Sequence, residues 1–421
     1  MYQFHTLPNG LRILMLPVPA FKSVSTGIFV GIGSRYESDA QAGVAHFIEH
    51  MLFKGTNQRP STRLIAEAIE GIGGISNAYT DQETTVYYAK VAASQAAVAI
   101  DVLADLVRRP LFEPAEFDKE KYVIGEELDM VYDSPDEWVD VLIDQLIWPD
   151  HPLGHNVAGT HQSLTGLSRE ALVSFYQASY HPQNMLIALG GAFAPEQVVA
   201  QLDSLLGDWQ PAAIPAYQPA GGPQTEARWY IEDRATEQGH LNLAVPALPR
   251  NHPDRYVLSV LNAVLGDGMS SRLFLTLREE KGLAYAVDSG LNLLRDTGSL
   301  VVYAGVDPER GAEALQAILA ELARLCDEPV PEQELRKTKE YLKGRLLLGL
   351  EDSFSQAAWV AYQAMFLDSI KTPEAVVQAY EAVTATEVQA LARQLFRPTA
   401  YNLAAVGPFG NGESLVRRLT G

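Results

Sequence analysis

The sequence predicts an α+β protein of two similar lobes, each a mostly antiparallel or mixed sheet backed by helices. Three observations carry that prediction. The chain has 421 residues, 47% of them hydrophobic, well beyond the ~250–300 residues at which one core stops growing. Its halves repeat: "FYQASYHPQNMLIALGGAF" resembles "LARQLFRPTAYNLAAVGPF", pairing Pro182 with Pro398, Gly191 with Gly407 and Phe193 with Phe409 at one offset. A second pair, "RRPLFEPAEFDKEKYV" and "RLCDEPVPEQELRKTKEYL", sits at nearly the same offset. Finally, strand-like runs such as "LRILMLP", "SVSTGIFVGIGS", "ISNAYTDQETTVYYAKV" and "NMLIALGGA" are separated by pairs of helical stretches, not by a regular strand and helix alternation. The stretch "DWQPAAIPAYQPAGGPQTE", residues 208–226, is rich in proline, alanine and glycine and reads as an interdomain linker. The expected domains are therefore 1–207 and 227–421.

A net charge of −20 argues against nucleic acid or an anionic membrane as a partner. The single cysteine, Cys326, excludes an intramolecular disulfide framework and a thiolate cluster, so any metal must be held by nitrogen and oxygen. The first residues, "MYQFHTLPNGLRILMLP", lack a basic segment followed by a long apolar one, and no apolar run approaches the length of a bilayer span. A soluble cytoplasmic protein is the expectation.

The stretch "GVAHFIEHMLFKGT", residues 43–56, concentrates His46, Glu49 and His50. Ser38 and Asp39 are good N-caps and Gly55 a good C-cap, framing a helix of roughly 40 to 54. Stepping about 100° per residue from His46 puts His50 near ~40° and Glu49 near ~300°. Val44, Phe47, Ile48, Met51 and Leu52 fall between roughly 100° and 240°. The apolar face packs inward, and both imidazoles share the opposite face with the carboxylate. Two histidines one turn apart can chelate one ion, and a glutamate beside them can reach a water bound to it. The bland alternative is a polar face turned to solvent.

A catalytic zinc site normally takes a third protein ligand. The helical stretch "AEFDKEKYVIGEELDMVY", residues 115–132, offers one. With Glu120 at zero, Glu127 falls near ~340°, between Val123 near ~300° and Ile124 near ~40°, whereas Glu126 lies near ~240° with Lys119, toward water. A carboxylate on an inner face implies a cation or a donor waiting for it, because burying it unpaired costs several kcal/mol. Glu127 is the expected third ligand and Glu120 a carboxylate that orients an imidazole or assists the site. A different helix phase would leave both exposed or bring Glu126 forward.

These residues resemble the inverted-motif zinc peptidases of the pitrilysin and insulinase group, especially the short-chain branch related to the mitochondrial processing peptidase beta subunit and its bacterial homologues. The similarity runs through "HFIEHMLFKGT", "GISNAYTDQETTVYYAKV", "DKEKYVIGEEL", "HPLGHNVAGT" and, in the second half, "SSRLFLTLREEKGLAYAV". It implies one Zn2+ per chain held by His46, His50 and Glu127, with Glu49 as general base and Glu120 as an additional carboxylate. It also implies substrate contacts from Arg278 and Tyr285 in the second half, and from the exposed strand edge at Asn77, Ala78 and Tyr79. Family members fold as two α+β lobes that close around an unfolded peptide.

Two departures matter. The second half has "LNAVLGDGMSSRLF" in place of the histidine motif, so it can lend substrate contacts but not a second metal. Of the acidic pair that processing peptidases use for a basic residue near the cut, Glu137 is retained and Val141 holds the second position. The expected activity is therefore a zinc-dependent endopeptidase acting on extended peptides or unfolded segments, self-sufficient as a homodimer or monomer. The competing readings are a non-catalytic assembly subunit and one half of a heterodimer with a related chain. The glycines of "EGIGGIS" enter a strand and read as a turn, not a phosphate site. His151 and His155, set among proline and glycine, read as loop residues.

Overall fold

The computed structural model, which describes residues 2–420, contains two sheets of the same plan. The first has six strands: β1 (Gln3–Thr6), β2 (Arg12–Pro17), β3 (Ser23–Val30), β4 (Ile75–Thr80), β5 (Thr85–Ala92) and β6 (Met185–Gly191), ordered β1-β2-β6-β3-β5-β4. The second has five: β7 (Arg228–Asp233), β8 (Gly239–Pro246), β9 (Ala284–Leu293), β10 (Gly298–Val306) and β11 (Asn402–Gly407), ordered β7-β11-β8-β10-β9. Apart from the extra β1, the orders correspond strand for strand. In each sheet one pair is parallel, β2 with β6 and β7 with β11, and the remaining pairs are antiparallel. The repeat seen in the sequence is thus a repeat of topology, and the fold is mixed α+β.

The central strands β3 and β6 are buried on both faces, which is why they read as near-continuous apolar runs. On one face of the first sheet Ile13, Ile28, Tyr87 and Ile187 join Phe47, Leu103 and Ile124 from the helices in one core. The equivalent core of the second sheet joins Leu243, Val302 and Leu403 to Leu261, Ile318 and Leu391. Each such side chain contributes about 1.5–3 kcal/mol on full burial.

The opposite faces are covered by an exchange. The chain divides into two compact units, one of residues up to 129 with 155–218 and 348–370, the other of 130–154, 219–347 and 371 onward. The helix Ser353–Phe366, from the second half of the sequence, packs Ala357, Val360 and Ala361 on Leu14, Phe29, Leu186 and Ala188 of the first unit. The helix Pro135–Ile147, from the first half, packs Val139, Leu142 and Ile143 on Ala244, Ala404 and Val406 of the second. Boundaries drawn at 207 and 227 from composition differ from these units by the two exchanged segments, because a loop-rich stretch marks where the chain crosses over and not which sheet a later helix covers. Residues 208–226 form no strand or helix, and the units divide within them, between Gln218 and Pro219.

Two further helices position the site. The histidine helix spans Val44–Leu52, shorter than the expected 40 to 54. Asp39–Gln41 forms a separate 3-10 turn, and Gly43, at φ 92°, breaks the chain before the α-helix starts. A Cβ there would stand 2.4 Å from the Ala158 carbonyl oxygen, so the break needs glycine. Neither Ser38 nor Asp39 caps the helix. The glutamate helix spans Pro114–Asp133, and Phe117 stacks on Phe47 with ring centroids 4.8 Å apart, fixing the two helices side by side. Of the two loop histidines, His151 is buried, with Nδ1 accepting from the Leu153 N–H, and His155 lies 3.6 Å from Asp39.

Candidate metal centre

The histidine helix buries Val44, Phe47, Ile48, Met51 and Leu52 and leaves His46, Glu49 and His50 on the other face, as its apolar spacing requires. The His46 and His50 rings lie 4.6 Å apart. On the facing glutamate helix Phe117, Glu120, Ile124 and Leu128 are buried, Glu126 is exposed, and Glu127 is partly buried. The Glu127 carboxylate is 3.5 Å from His50 Nε2 and 4.0 Å from His46 Nε2. One ligand atom from each of these three residues lies within 4.8 Å of the others, and they are the only such cluster among the described residues.

Glu120 is fully buried and sits between two cationic groups. Its Oε2 is 3.1 Å from His50 Nδ1 and its Oε1 is 2.6 Å from Lys54 Nζ. With Nδ1 of His50 engaged by a carboxylate, Nε2 is the nitrogen that faces Glu127, and it is the one that would offer its lone pair to an ion once its own proton is lost. His46 differs, because its Nδ1 is buried with no hydrogen-bond partner among the described residues. The Glu49 carboxylate accepts a 2.5 Å hydrogen bond from Thr80 Oγ1, at the end of edge strand β4.

These surroundings set the protonation states. Burial, helped by the charge of His50, pushes His46 down to about 4, so its imidazole is neutral and ligand-competent at pH 7. Burial also opposes charge on His50, but the Glu120 hydrogen bond and the charges of Glu127, Glu49 and Glu120 outweigh it and hold His50 above its ordinary value. Burial raises Glu49, against the lowering effects of Thr80 and His50. For Glu120 burial is outweighed by the hydrogen bonds and charges of His50 and Lys54, which hold the carboxyl below its usual range.

Two imidazole nitrogens and one carboxylate oxygen, with one imidazole oriented by a second carboxylate, are the donor set of a three-ligand zinc site with an open position. The residues present fit the ion. Because His50 is held above its ordinary value and so carries a proton that an ion must displace, zinc binding is expected to release about one proton at pH 6 and less as pH rises through the raised His50 value. Calorimetry in buffers of different ionisation enthalpy measures this; a release near two protons at pH 6 would show that His46 is protonated as well.

The other sequence-predicted residues stand as follows. Asn77, Ala78 and Tyr79 lie on β4, at the edge of the first sheet, and the Ala78 N–H is taken up by Asn77 Oδ1 at 2.8 Å. Arg278 is exposed on the π-helical turn Phe274–Glu280 and Tyr285 is exposed on β9, both within the second unit. Sequence reasoning missed Lys54 and Thr80. Lys54 was within reach, since it stands four residues after His50 and so continues the same helix face. Thr80 carried no local signal, because only the fold brings the end of β4 to the histidine helix.

The chain matches two family models, "Insulinase (Peptidase family M16)" over residues 12–161 and "Peptidase M16 inactive domain" over residues 166–342. The chain belongs to peptidase family M16. An uncharacterized zinc protease of Mycobacterium leprae (strain TN) is 37% identical, covering 98% of this chain and 93% of that protein. The uncharacterized zinc protease YmxG of Bacillus subtilis (strain 168) is 36% identical, with 98% and 99% covered. Among solved structures, a protease from Helicobacter pylori superimposes with a TM-score of 0.92 at 23% identity, covering 97% of this chain and 99% of the other. A chain of complex III from Candida albicans does so with a TM-score of 0.85 at 18% identity, covering 99% and 98%. Likeness at that identity concerns the M16 fold alone. The insulinase match contains His46, Glu49, His50, Glu120 and Glu127, whereas the inactive-domain match, over residues 166–342, contains no histidine motif. Among the described residues no helix is long and apolar enough to cross a membrane.

Proposed function

We propose that this M16 chain is a zinc-dependent endopeptidase that cuts extended peptides and unfolded segments. The observation that carries the reading is the convergence of one ligand atom each from His46, His50 and Glu127 to within 4.8 Å of one another, with Glu49 on the same helix face. His46, His50 and Glu127 would hold the ion. When bound, zinc supplies Lewis acidity that polarises a scissile carbonyl and acidifies water. Glu49 takes the proton of the attacking water and passes it to the leaving amine nitrogen. Burial raises its affinity for protons above that of an ordinary carboxylate, in the direction a general base that must also return the proton needs. Thr80 orients the Glu49 carboxylate, and Glu120 keeps the His50 proton on Nδ1.

Substrate is held by main-chain hydrogen bonds as an added strand along β4, which is an open sheet edge that ends at Thr80 beside Glu49. Recognition of this kind reads backbone more than side chains and requires a segment free of its own structure. For Arg278 and Tyr285 a part in binding substrate rests on the family resemblance of the segment that carries them. Arg278→Ala is expected to lower peptide kcat/KM by about tenfold with zinc content unchanged, on the scale of a lost hydrogen bond to a charged group. Full activity in that variant removes Arg278 from the substrate site.

Peptide cleavage is tested by incubating the zinc-loaded protein with a mixture of unstructured peptides and reading new termini by mass spectrometry. Cuts made by the wild type and not by Glu49→Gln are the expected result. Absence of cuts with zinc bound would move the reading to a chain that works only with a partner.

A further inference from the structure

The histidine helix begins on an unusual cap. The first N–H groups of any α-helix lack intrahelical partners and need acceptors from elsewhere. Here they are supplied by Glu37, six residues upstream of the helix boundary glycine and only 3% exposed. Its Oε2 accepts from the Gly43 N–H and its Oε1 from the Ala45 N–H, both at 2.7 Å. A carboxyl group at a helix N-terminus also meets the positive end of the helix dipole. The turn it closes is pinned from the other side: Gly43 is pressed against the Ala158 carbonyl, and Ser163 Oγ donates to the Ala42 carbonyl at 2.7 Å.

The consequence falls on His46. The helix has nine residues, and His46 is the third of them, directly after Ala45. His50 is oriented through its own ring, by Glu120, but His46 Nδ1 has no hydrogen-bond partner among the described residues. The direction of the His46 imidazole therefore depends on the backbone of the first helical turn, and that turn is held by Glu37.

We propose that Glu37 is a positioning residue of the metal centre: by capping Gly43 and Ala45 it fixes the start and rotational setting of the helix that presents His46, Glu49 and His50. The inference rests on the zinc-peptidase reading above. Glu37 touches neither the ligands nor the substrate edge, so it acts through the helix. Burial pushes the Glu37 carboxyl up to about 8, yet in either protonation state both of its oxygens keep lone pairs that accept an N–H. Glutamine cannot do the same, because its NH2 group would face one of the two backbone donors.

The test compares Glu37→Gln and Glu37→Ala with wild type and with Leu202→Ala, a truncation of a buried residue in the helix Pro195–Leu206, which packs chiefly on the helix Ala96–Arg108 and on β2. Zinc affinity is measured by competition with a chromophoric chelator, site geometry by the visible spectrum of the cobalt-substituted protein, and turnover by kcat and KM separately. Glu37→Gln is expected to weaken zinc binding by about tenfold, the lower end of the loss seen when an outer partner of a ligand is removed. Glu37→Ala should weaken it further. Both should alter the cobalt spectrum and lower kcat with KM within about twofold. Unchanged zinc affinity and cobalt spectrum in Glu37→Gln overturn the proposal, and so does an equal change in Leu202→Ala, which would reduce Glu37 to a general stability role. If Glu37→Ala does not fold, Glu37→Gln alone decides. Should the wild type itself take up no zinc, the metal reading fails, an outcome distinct from a zinc-loaded wild type that its Glu37 variants match.

Discussion

Glu49→Gln is expected to lower kcat/KM for an unstructured peptide by about 10²–10⁴-fold, the usual worth of a positioned general base, while zinc content stays at one per chain. The separation of the two effects follows from the geometry. Glu49 is not one of the three clustered ligand residues; its carboxylate turns to Thr80 Oγ1, 2.5 Å away. Glutamine has the same shape and its carbonyl oxygen still accepts from Thr80, so the helix face and the ligand set survive. What disappears is the ability to accept a proton from water and return it to the leaving nitrogen. Metal analysis and peptide kinetics on one preparation measure both quantities. Cleavage within about twofold of wild type would remove Glu49 as the base, and loss of zinc would make it a ligand.

The parts of this molecule legible in the sequence are those where a period does physical work. The face of the histidine helix followed from the 3.6-residue repeat of Val44, Phe47, Ile48, Met51 and Leu52, and these are the residues the structure buries. The same reasoning put Glu120 inside and Glu126 outside on the glutamate helix, and it brought Glu127 to the side where both imidazoles lie. The duplication was legible because like sheets need like strands, and the strand orders of the two sheets match. Features that depend on residues far apart in sequence were not. Ser38 and Asp39 look like caps, but capping needs a backbone that turns into the helix at once, and here a 3-10 turn and the Gly43 break intervene. The cap is Glu37, a residue that carries no local capping signature. The exchange of Pro135–Ile147 and Ser353–Phe366 between the units was equally hidden, since an amphipathic helix declares that it has an apolar face but not which sheet receives it.

His50→Ala is expected to weaken zinc binding by more than ~100-fold, beyond the 10–100-fold cost of losing an outer partner, because it removes one of three donors outright. Turnover at stoichiometric zinc should vanish with it. A comparison with His46→Ala makes the assignment sharper. Both variants lose a donor, so in both the rise in thermal stability that zinc confers on the wild type, about 2.7 kcal/mol at 100 times Kd, should disappear. Without metal they should differ. His46 leaves no buried partner behind, since its Nδ1 is unbonded among the described residues and its Nε2 meets only the partly exposed Glu127 at 4.0 Å, whereas His50 leaves the fully buried Glu120 with Lys54 as its remaining cationic neighbour. Stranding part of a buried carboxylate's hydrogen bonding is costly, so metal-free His50→Ala should be less stable than metal-free His46→Ala by about 1–3 kcal/mol. Chemical denaturation in the presence of a chelator measures that difference. Equal metal-free stabilities would show that Lys54 alone satisfies Glu120, and Glu120 would then have no claim to orient His50; retention of wild-type zinc affinity in either variant would remove that histidine from the ligand set.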